Sequence, residues 1–420
     1  MNVSSQYALR SLMRSTTRTL LSLIGVGIGC AIAAVAVAWI KGESGMMAES
    51  TAMSGQGYLQ VVPRGWQESR DTRLRITGDW KKLRKTIEGV PGITVVTPQV
   101  ETQGLLGMGT KVQGVSLLGG DPKSEREIRR TIRAVSQGRY LQADDKNALV
   151  LGSELAKRLD VSLNDEIVVT AVAPTGEMNS SLLTLVGVVH SGSRSIDATV
   201  AHTNLNDAIH LGGRPGVERF AILVNEPKDV GPLAQRVERA IDDSKIKEIA
   251  KVDTLTWIQV NPSLVAAKKA DAAFSNAIIF VIVLLVILGI TSAQLTGVLQ
   301  RGREFSALLA LGMKRRTLWR LIFTEALFTG IAGAVLATVF ATPALWYLSQ
   351  VGVDYGAISG NESGMNMSGI LLDPIMKADV GIWVIPFLLV LAIGATLIGA
   401  IYPAIYSLRI DPASILRARN

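Results

Sequence analysis

The sequence predicts a membrane protein: four transmembrane α-helices joined to an extracytoplasmic α+β domain. Three observations predict it. Four segments, at 19–40 and about 272–299, 317–348 and 381–408, are apolar over the roughly 20 residues a bilayer crossing needs. Between the first two lies a 41–270 stretch of short β-branched and amphipathic runs, the pattern of a soluble α+β domain. Lysine and arginine then divide the remaining loops by side. The N-terminal flank, the 298–320 loop and the C-terminal tail are basic, whereas the 349–380 loop carries Asp354, Glu362, Asp373 and Asp379 against Lys377. Both termini are therefore expected in the cytoplasm. The net charge of +8 gathers beside apolar runs, which fits a membrane protein and not a nucleic-acid binder.

Residues 1–18 read as a cytoplasmic amphipathic helix. Arg10, Arg14 and Arg18 recur every four residues and form one stripe suited to an anionic lipid surface. Residues 19–40 read as a retained first span. Ala34, Ala36 and Ala38 would suit a cleaved signal peptide, but the run is long and contains Gly25-x-x-x-Gly29, a close-packing pattern for helix pairs. The sole cysteine, Cys30, lies within it, so the outer domain has no disulfide.

In the 41–270 domain, strands are expected at 58–63, 92–100, 148–151, 166–172, 182–189, 220–224 and 251–260. Helices are expected at 79–88, 153–159 and 230–243. A further helix opens at Asp121-Pro122, an N-cap and N1 pair, carries Ile128, Ile132 and Val135 on one face and closes at Gly138. From Ser263 the chain reads as helix into the second span. Residues 271–420 form the second, mostly membrane-embedded domain.

The loop between the second and third spans is the most informative stretch. Glu304–Leu311 reads as a short helix with Phe305, Leu308 and Leu309 on one apolar face. Gly312 is placed to end it in the left-handed region, and Lys314, Arg315 and Arg316 follow where the helix dipole favours cations. With Arg301 and Arg303 before it, this is an apolar face with a basic rim between two spans, suited to docking a protein at the cytoplasmic surface. The third span is rich in Gly330, Gly333, Ala334, Ala337 and Ala341, which allow close helix packing. Glu325, early in that span, is expected either to pair with Arg320 or a neighbouring helix or to act in coupling.

Enzymatic signatures are missing. Gly104–Lys111, GLLGMGTK, lacks the Gly-Lys order of a phosphate loop. His190, His202 and His210 are scattered without ligand spacing, and there is no GxSxG. No cofactor, metal or catalytic residue is expected in this chain.

Arg301, Glu304, Leu308, Ala310, Leu311 and Gly312 form the pattern R-x-x-E-x-x-x-L-x-A-L-G. It resembles the FtsX-like permease domain of the MacB superfamily of ABC transporters, in which a glutamate, here Glu325, follows early in the next span. The closing run YPAIYSLRIDPASILR, with Pro403, Ala404, Asp411, Pro412, Leu416 and Arg417, resembles that family's C-terminal pattern. GRYL and ALVLGSELAKRLDVSLNDEIVV resemble the periplasmic domain of MacB and of the lipoprotein-release permeases LolC and LolE.

The resemblance implies a permease that dimerises with a second copy or a paralogue. A separate cytoplasmic ABC ATPase would bind ATP and Mg and receive the 304–311 coupling helix with Arg301, Arg303, Lys314 and Arg315. ATP-driven closure would move the periplasmic domain by mechanotransmission and release lipoprotein-like or amphiphilic cargo, with a periplasmic carrier or adaptor as a further partner. Two departures stand out. Leu309 replaces a residue that is often basic, and APTGEMNSS is shorter than the hook LolC uses for its carrier. The alternatives are an FtsX-like transmitter that activates an extracytoplasmic partner such as a cell-wall hydrolase, and a membrane-anchored sensor without an ATPase.

Overall fold

The computed structural model describes residues 16–69, 74–173, 176–227, 230–244, 246, 251–359, 366–367 and 370–408. Arg10, Arg14, the side chain of Arg18 and the closing motif from Asp411 to Arg417 lie outside the described residues. The chain divides into a helical unit (Met1–Glu43, Lys269–Val353, Lys377–Asn420) and a β-rich unit (Ser44–Lys268, Asp354–Met376). The β-rich unit thus takes in a segment that the sequence places between the third and fourth spans.

The first helix, α1, spans Thr16–Ala52. Strand β1 (Leu59–Pro63), helix α2 (Trp80–Glu88), the long strand β2 (Ile93–Met108) and strand β3 (Lys111–Gly120) follow. Asp79 caps α2 by accepting from the Lys82 N–H. The run GLLGMGTK is the tip of the β2–β3 hairpin, with Met108 opposite Lys111. Helix α3 (Pro122–Ile128) begins at the Asp121 cap as expected, but it stops at Arg129. Residues expected to prolong it instead form a 3-10 turn and strand β4 (Val135–Gly138), because Val135 pairs with Val189. Strand β5 (Ala148–Gly152), helix α4 (Ser153–Leu159) and strand β6 (Glu166–Val172) lie within a residue of their expected places. Strand β7 (Met178–Val189) starts four residues earlier than expected, within APTGEMNSS.

Strand β8 (Ala201–Asn204) and helix α5 (Leu205–Leu211) were not apparent in the sequence pattern. Strand β9 (Arg219–Val224), helix α6 (Gly231–Asp243) and strand β10 (Val252–Thr256) follow. The expected strand at 251–260 ends at Thr256 because Thr256 and Gln259 form a capping box that starts a helical turn.

The strands run in the order β10-β1-β9-β2-β3-β8-β5-β7-β4, with β6 joining β7 back to β2. Strands β2, β3, β8, β5, β7 and β6 therefore close on themselves. Their core is Leu106, Val115, Leu149, Ile167, Val169 and Leu183, with Leu155 and Leu159 of α4. A second core joins β1, β9 and the first half of β2 to α2 and α6, through Leu59, Leu83, Ile87, Phe220, Ile222 and Val237.

The helical unit consists of most of α1, α7 (Pro262–Gln300, from Lys269), α8 (Gly302–Ala310), α9 (Arg315–Gln350) and α10 (Val384–Leu408). Among the described residues, four helices are long and apolar enough to cross a membrane: Ser22–Ala52, Lys269–Gln300, Arg315–Gln350 and Val384–Ser407. Small residues bring them together: Ala34 and Ala38 of α1 share a core with Ala334, Ala337 and Ala341 of α9 and Ala392 of α10. Gly29 fits the close-packing reading, since a methyl group there would lie 2.6 Å from Cγ2 of Val286 on α7. Gly25 faces open space instead.

Candidate coupling segment

Helix α8 sits between two long helices and its ends are set locally. Arg301, at φ −99° and ψ 11°, breaks the α7 helix before α8 begins. At the far end Gly312 takes φ +94°, a conformation costly for any residue with a Cβ. Its N–H donates to the Leu309 carbonyl, and that of Met313 to the Leu308 carbonyl, each at 3.0 Å. This is the Schellman arrangement, and Leu308 and Met313 both pack against the same cluster, as that motif favours.

The apolar face of α8 does not point outward. Phe305 is 1% exposed and packs with Val298, Leu318, Leu321, Ile322 and Ala404, while Leu308 and Leu309 are half-buried against the same cluster. The face expected to meet a partner therefore seats α8 on α7, α9 and α10, because burying a phenylalanine against neighbouring helices removes it from water without any partner. The exposed face is Arg303, Glu304, Ala307, Ala310 and Leu311, continued by Gly312, Lys314, Arg315 and Arg316. Leu311, at 85% exposure, is its apolar tip; its place in the motif was visible in sequence, but its exposure was not.

Arg301 is the hub. Its Nη1 donates to Glu325 Oε2 at 3.0 Å and its Nε to Glu304 Oε2 at 3.3 Å. Its guanidinium lies 4.9 Å from the Phe305 ring centre. Glu325 thus pairs with Arg301, 24 residues before it in sequence, while Arg320 is exposed. Arg301 and Glu325 are 15% and 17% exposed, so their bond is mostly shielded from water.

A groove of about 650 Å³ lies between α1 and α7. Gly25, Ile28, Ile32, Leu285, Gly289 and Ile290 line it, with Ser22 and Gln294 as polar groups. Among the described residues, no group of three or more His, Cys, Asp or Glu is placed to hold a metal. Ser153, His190 and Asp197 do meet, but Ser153 Oγ and Asp197 Oδ2 both approach the same ring nitrogen, Nδ1, at 2.9 and 3.0 Å. A triad histidine takes the serine proton on one ring nitrogen while the carboxylate orients the other, and here both groups meet the same nitrogen.

Residues 19–240 match the MacB-like periplasmic core domain, and residues 276–412 match the FtsX-like permease C-terminal domain. The chain belongs to the MacB/FtsX-like ABC transporter permease family. Among its relatives, the lipoprotein-releasing system transmembrane protein LolC of Neisseria meningitidis serogroup B is 21% identical over 419 residues, 95% of this chain and 94% of the relative. LolE of the same kind of system in Haemophilus influenzae is 20% identical over 409 residues, 94% of this chain and 93% of the relative. The macrolide export ATP-binding/permease protein MacB of Campylobacter jejuni is 21% identical over 388 residues, 89% of this chain but 57% of that longer protein. Within this permease family, the coupling segment and Glu325 fall inside the FtsX-like match and the closed six-strand assembly inside the periplasmic-core match.

Proposed function

We propose that this permease couples ATP hydrolysis by a separate cytoplasmic ABC ATPase to movement of its β-rich unit, and that this movement releases an amphiphilic, lipoprotein-like cargo. In this reading the chain lies in the bacterial inner membrane with both termini in the cytoplasm and the β-rich unit in the periplasm. It works as a dimer with a second copy or a paralogue. The observation that carries the reading is α8: a short helix seated by Phe305 and Arg301 on the spans, with Arg303, Glu304, Ala307, Ala310 and Leu311 exposed. A helix fixed on one side and open on the other can receive a push and pass it to α7 and α9. The lipoprotein-releasing relatives and the apolar α1–α7 groove, wide enough for hydrocarbon chains, support the cargo class.

The test is a mild-detergent pull-down of the tagged chain with mass spectrometry of what accompanies it. An ABC ATPase near one-to-one ratio, lost from the Leu311→Asp variant, supports the reading. Lipoproteins in the same sample identify the cargo. Recovery of a cell-wall hydrolase in place of cargo would favour the FtsX-like transmitter.

A further inference from the structure

Within the β-rich unit, the last turns of α1 and the residues after them meet a pair of adjacent arginines with different surroundings. Arg129 is held rigidly. Its Nε donates to Glu125 Oε2 at 3.0 Å and its Nη1 to the Ser54 carbonyl at 2.7 Å. Glu125 is 1% exposed and also accepts from Gln99 Nε2 at 2.6 Å, while the same Gln99 amide donates to the Gly55 carbonyl at 2.9 Å. Gln99 Oε1 in turn accepts from Arg219 Nε at 3.0 Å, and Arg219 pairs with Glu101 and Glu218. The Ser54 and Gly55 carbonyls that follow α1 are thus held by Arg129 and by Gln99 of β2, and Arg219 of β9 fixes Gln99 in turn.

Arg130 has the opposite character. Its backbone N–H donates to the Met53 carbonyl at 2.7 Å, which fixes its position. Its side chain reaches out to two acids from distant parts of the chain: Nη2 to Glu49 Oε1 at 3.4 Å and Nη1 to Asp373 Oδ2 at 2.9 Å. Glu49 lies in the last turn of α1, and Asp373 in the Asp354–Met376 segment, which connects α9 to α10 in sequence. The three side chains are 33%, 60% and 38% exposed. Ion pairs this exposed are weak and form or break at little cost, unlike the buried Arg129–Glu125 pair.

We propose that Arg130 is a positioning residue, a releasable latch tying the end of α1 to the α9–α10 connection through Glu49 and Asp373. Arg129 beside it is the fixed anchor that holds the same junction to the sheet. The latch determines whether the end of α1 and the α9–α10 connection move together or separately. Its role in transport rests on the proposed function; the link itself does not.

Hydrogen exchange of the full chain in lipid nanodiscs, followed in peptides covering 47–54 and 370–376, tests the link without nucleotide or cargo. Arg130→Gln should raise exchange in both segments about two- to fivefold, the size expected for half-exposed ion pairs. Arg139→Gln, which removes an ion pair to Asp145 elsewhere in the same unit, should leave both unchanged. The swap of Arg130→Asp with Asp373→Arg should restore protection at 370–376. If 370–376 exchanges alike in wild type and Arg130→Gln, the latch does not exist. With the co-purified ATPase and a non-hydrolysable ATP analogue, protection at 47–54 and 370–376 should change together in wild type and independently in Arg130→Gln. An unaltered joint response in the variant would overturn the assigned role. Absence of any ATPase would count against the proposed function while leaving the nucleotide-free arm readable.

Discussion

Arg301 shows why single residues in this chain have unequal weight. It neutralises Glu325 where both side chains are mostly buried, and it also reaches Glu304, which is 48% exposed. Arg301→Ala removes this mostly buried, charge-assisted bond, and the expected cost is about 1.5–3 kcal/mol. Glu304→Ala removes only an exposed pair and should cost less than about 1 kcal/mol. Thermal unfolding in detergent checks both, and equal effects would disprove the hub assignment. Phe305 and Leu311 make a second contrast. Phe305→Ala opens a cavity among α7, α9 and α10 and should cost about 3–5 kcal/mol of stability. Leu311→Asp should melt like wild type yet fail to retain the ATPase, because its side chain touches water and not the core. Leu308, half-buried under the Schellman turn, is a poorer probe, since a charge there damages the chain's own packing as well.

At the scale of elements, close approaches decide what can be changed. Gly29→Val places atoms into Val286 and should destabilise the α1–α7 pair by about 1–3 kcal/mol. Gly25→Ala meets nothing within 4 Å and should be tolerated. A Gly25→Ala variant as unstable as Gly29→Val would mean that the two glycines act as one interface after all. The β2 strand carries the same lesson. It continues past the expected end at Val100, through two glycines that weaken its strand pattern. Gly104 is there because a Cβ would meet the Thr170 carbonyl oxygen of β6 at 2.8 Å.

For the molecule as a whole, acid is the informative perturbation. Burial, reinforced by Arg129, holds the His202 imidazole well below its ordinary value of 6.5. The folded chain keeps this ring neutral while the unfolded chain takes up a proton below about pH 6.5, so stability is full above that pH and falls below it. The slope approaches about 1.4 kcal/mol per pH unit. At Glu101, burial works to raise the carboxyl pKa, but Arg219 and the Ser116 hydroxyl outweigh it and leave it lowered. Its stabilisation is present above the ordinary glutamate value of 4.5 and is lost as pH falls through the folded value. Melting curves of His202→Gln should therefore flatten between about pH 6.5 and 5, whereas Glu101→Gln should differ from wild type in slope only below about pH 4.5. A His202→Gln profile that keeps the wild-type slope in the upper range would show that another group carries it.

The sequence by itself determined the four apolar helices, most strands of the β-rich unit, the helix starts at Asp79 and Asp121, and the Gly312 turn. Each depends on composition, periodicity or a local cap, forces that act within a few residues. It also carried the family motif around Arg301–Gly312. Only the tertiary structure decided which side of α8 is covered, since periodicity marks a face as apolar without saying what lies against it. The same holds for Glu325: the sequence left Arg320 and a neighbouring helix both open, and the fold sets the pair with Arg301 at the start of α8. Val135 kept a helical spacing after Ile128 and Ile132 and still became strand, because its pairing with Val189 lies 54 residues ahead. Closure of β6 onto β2, and the meeting of Glu49, Arg130 and Asp373, likewise arise from contacts between distant segments, which local propensity does not encode.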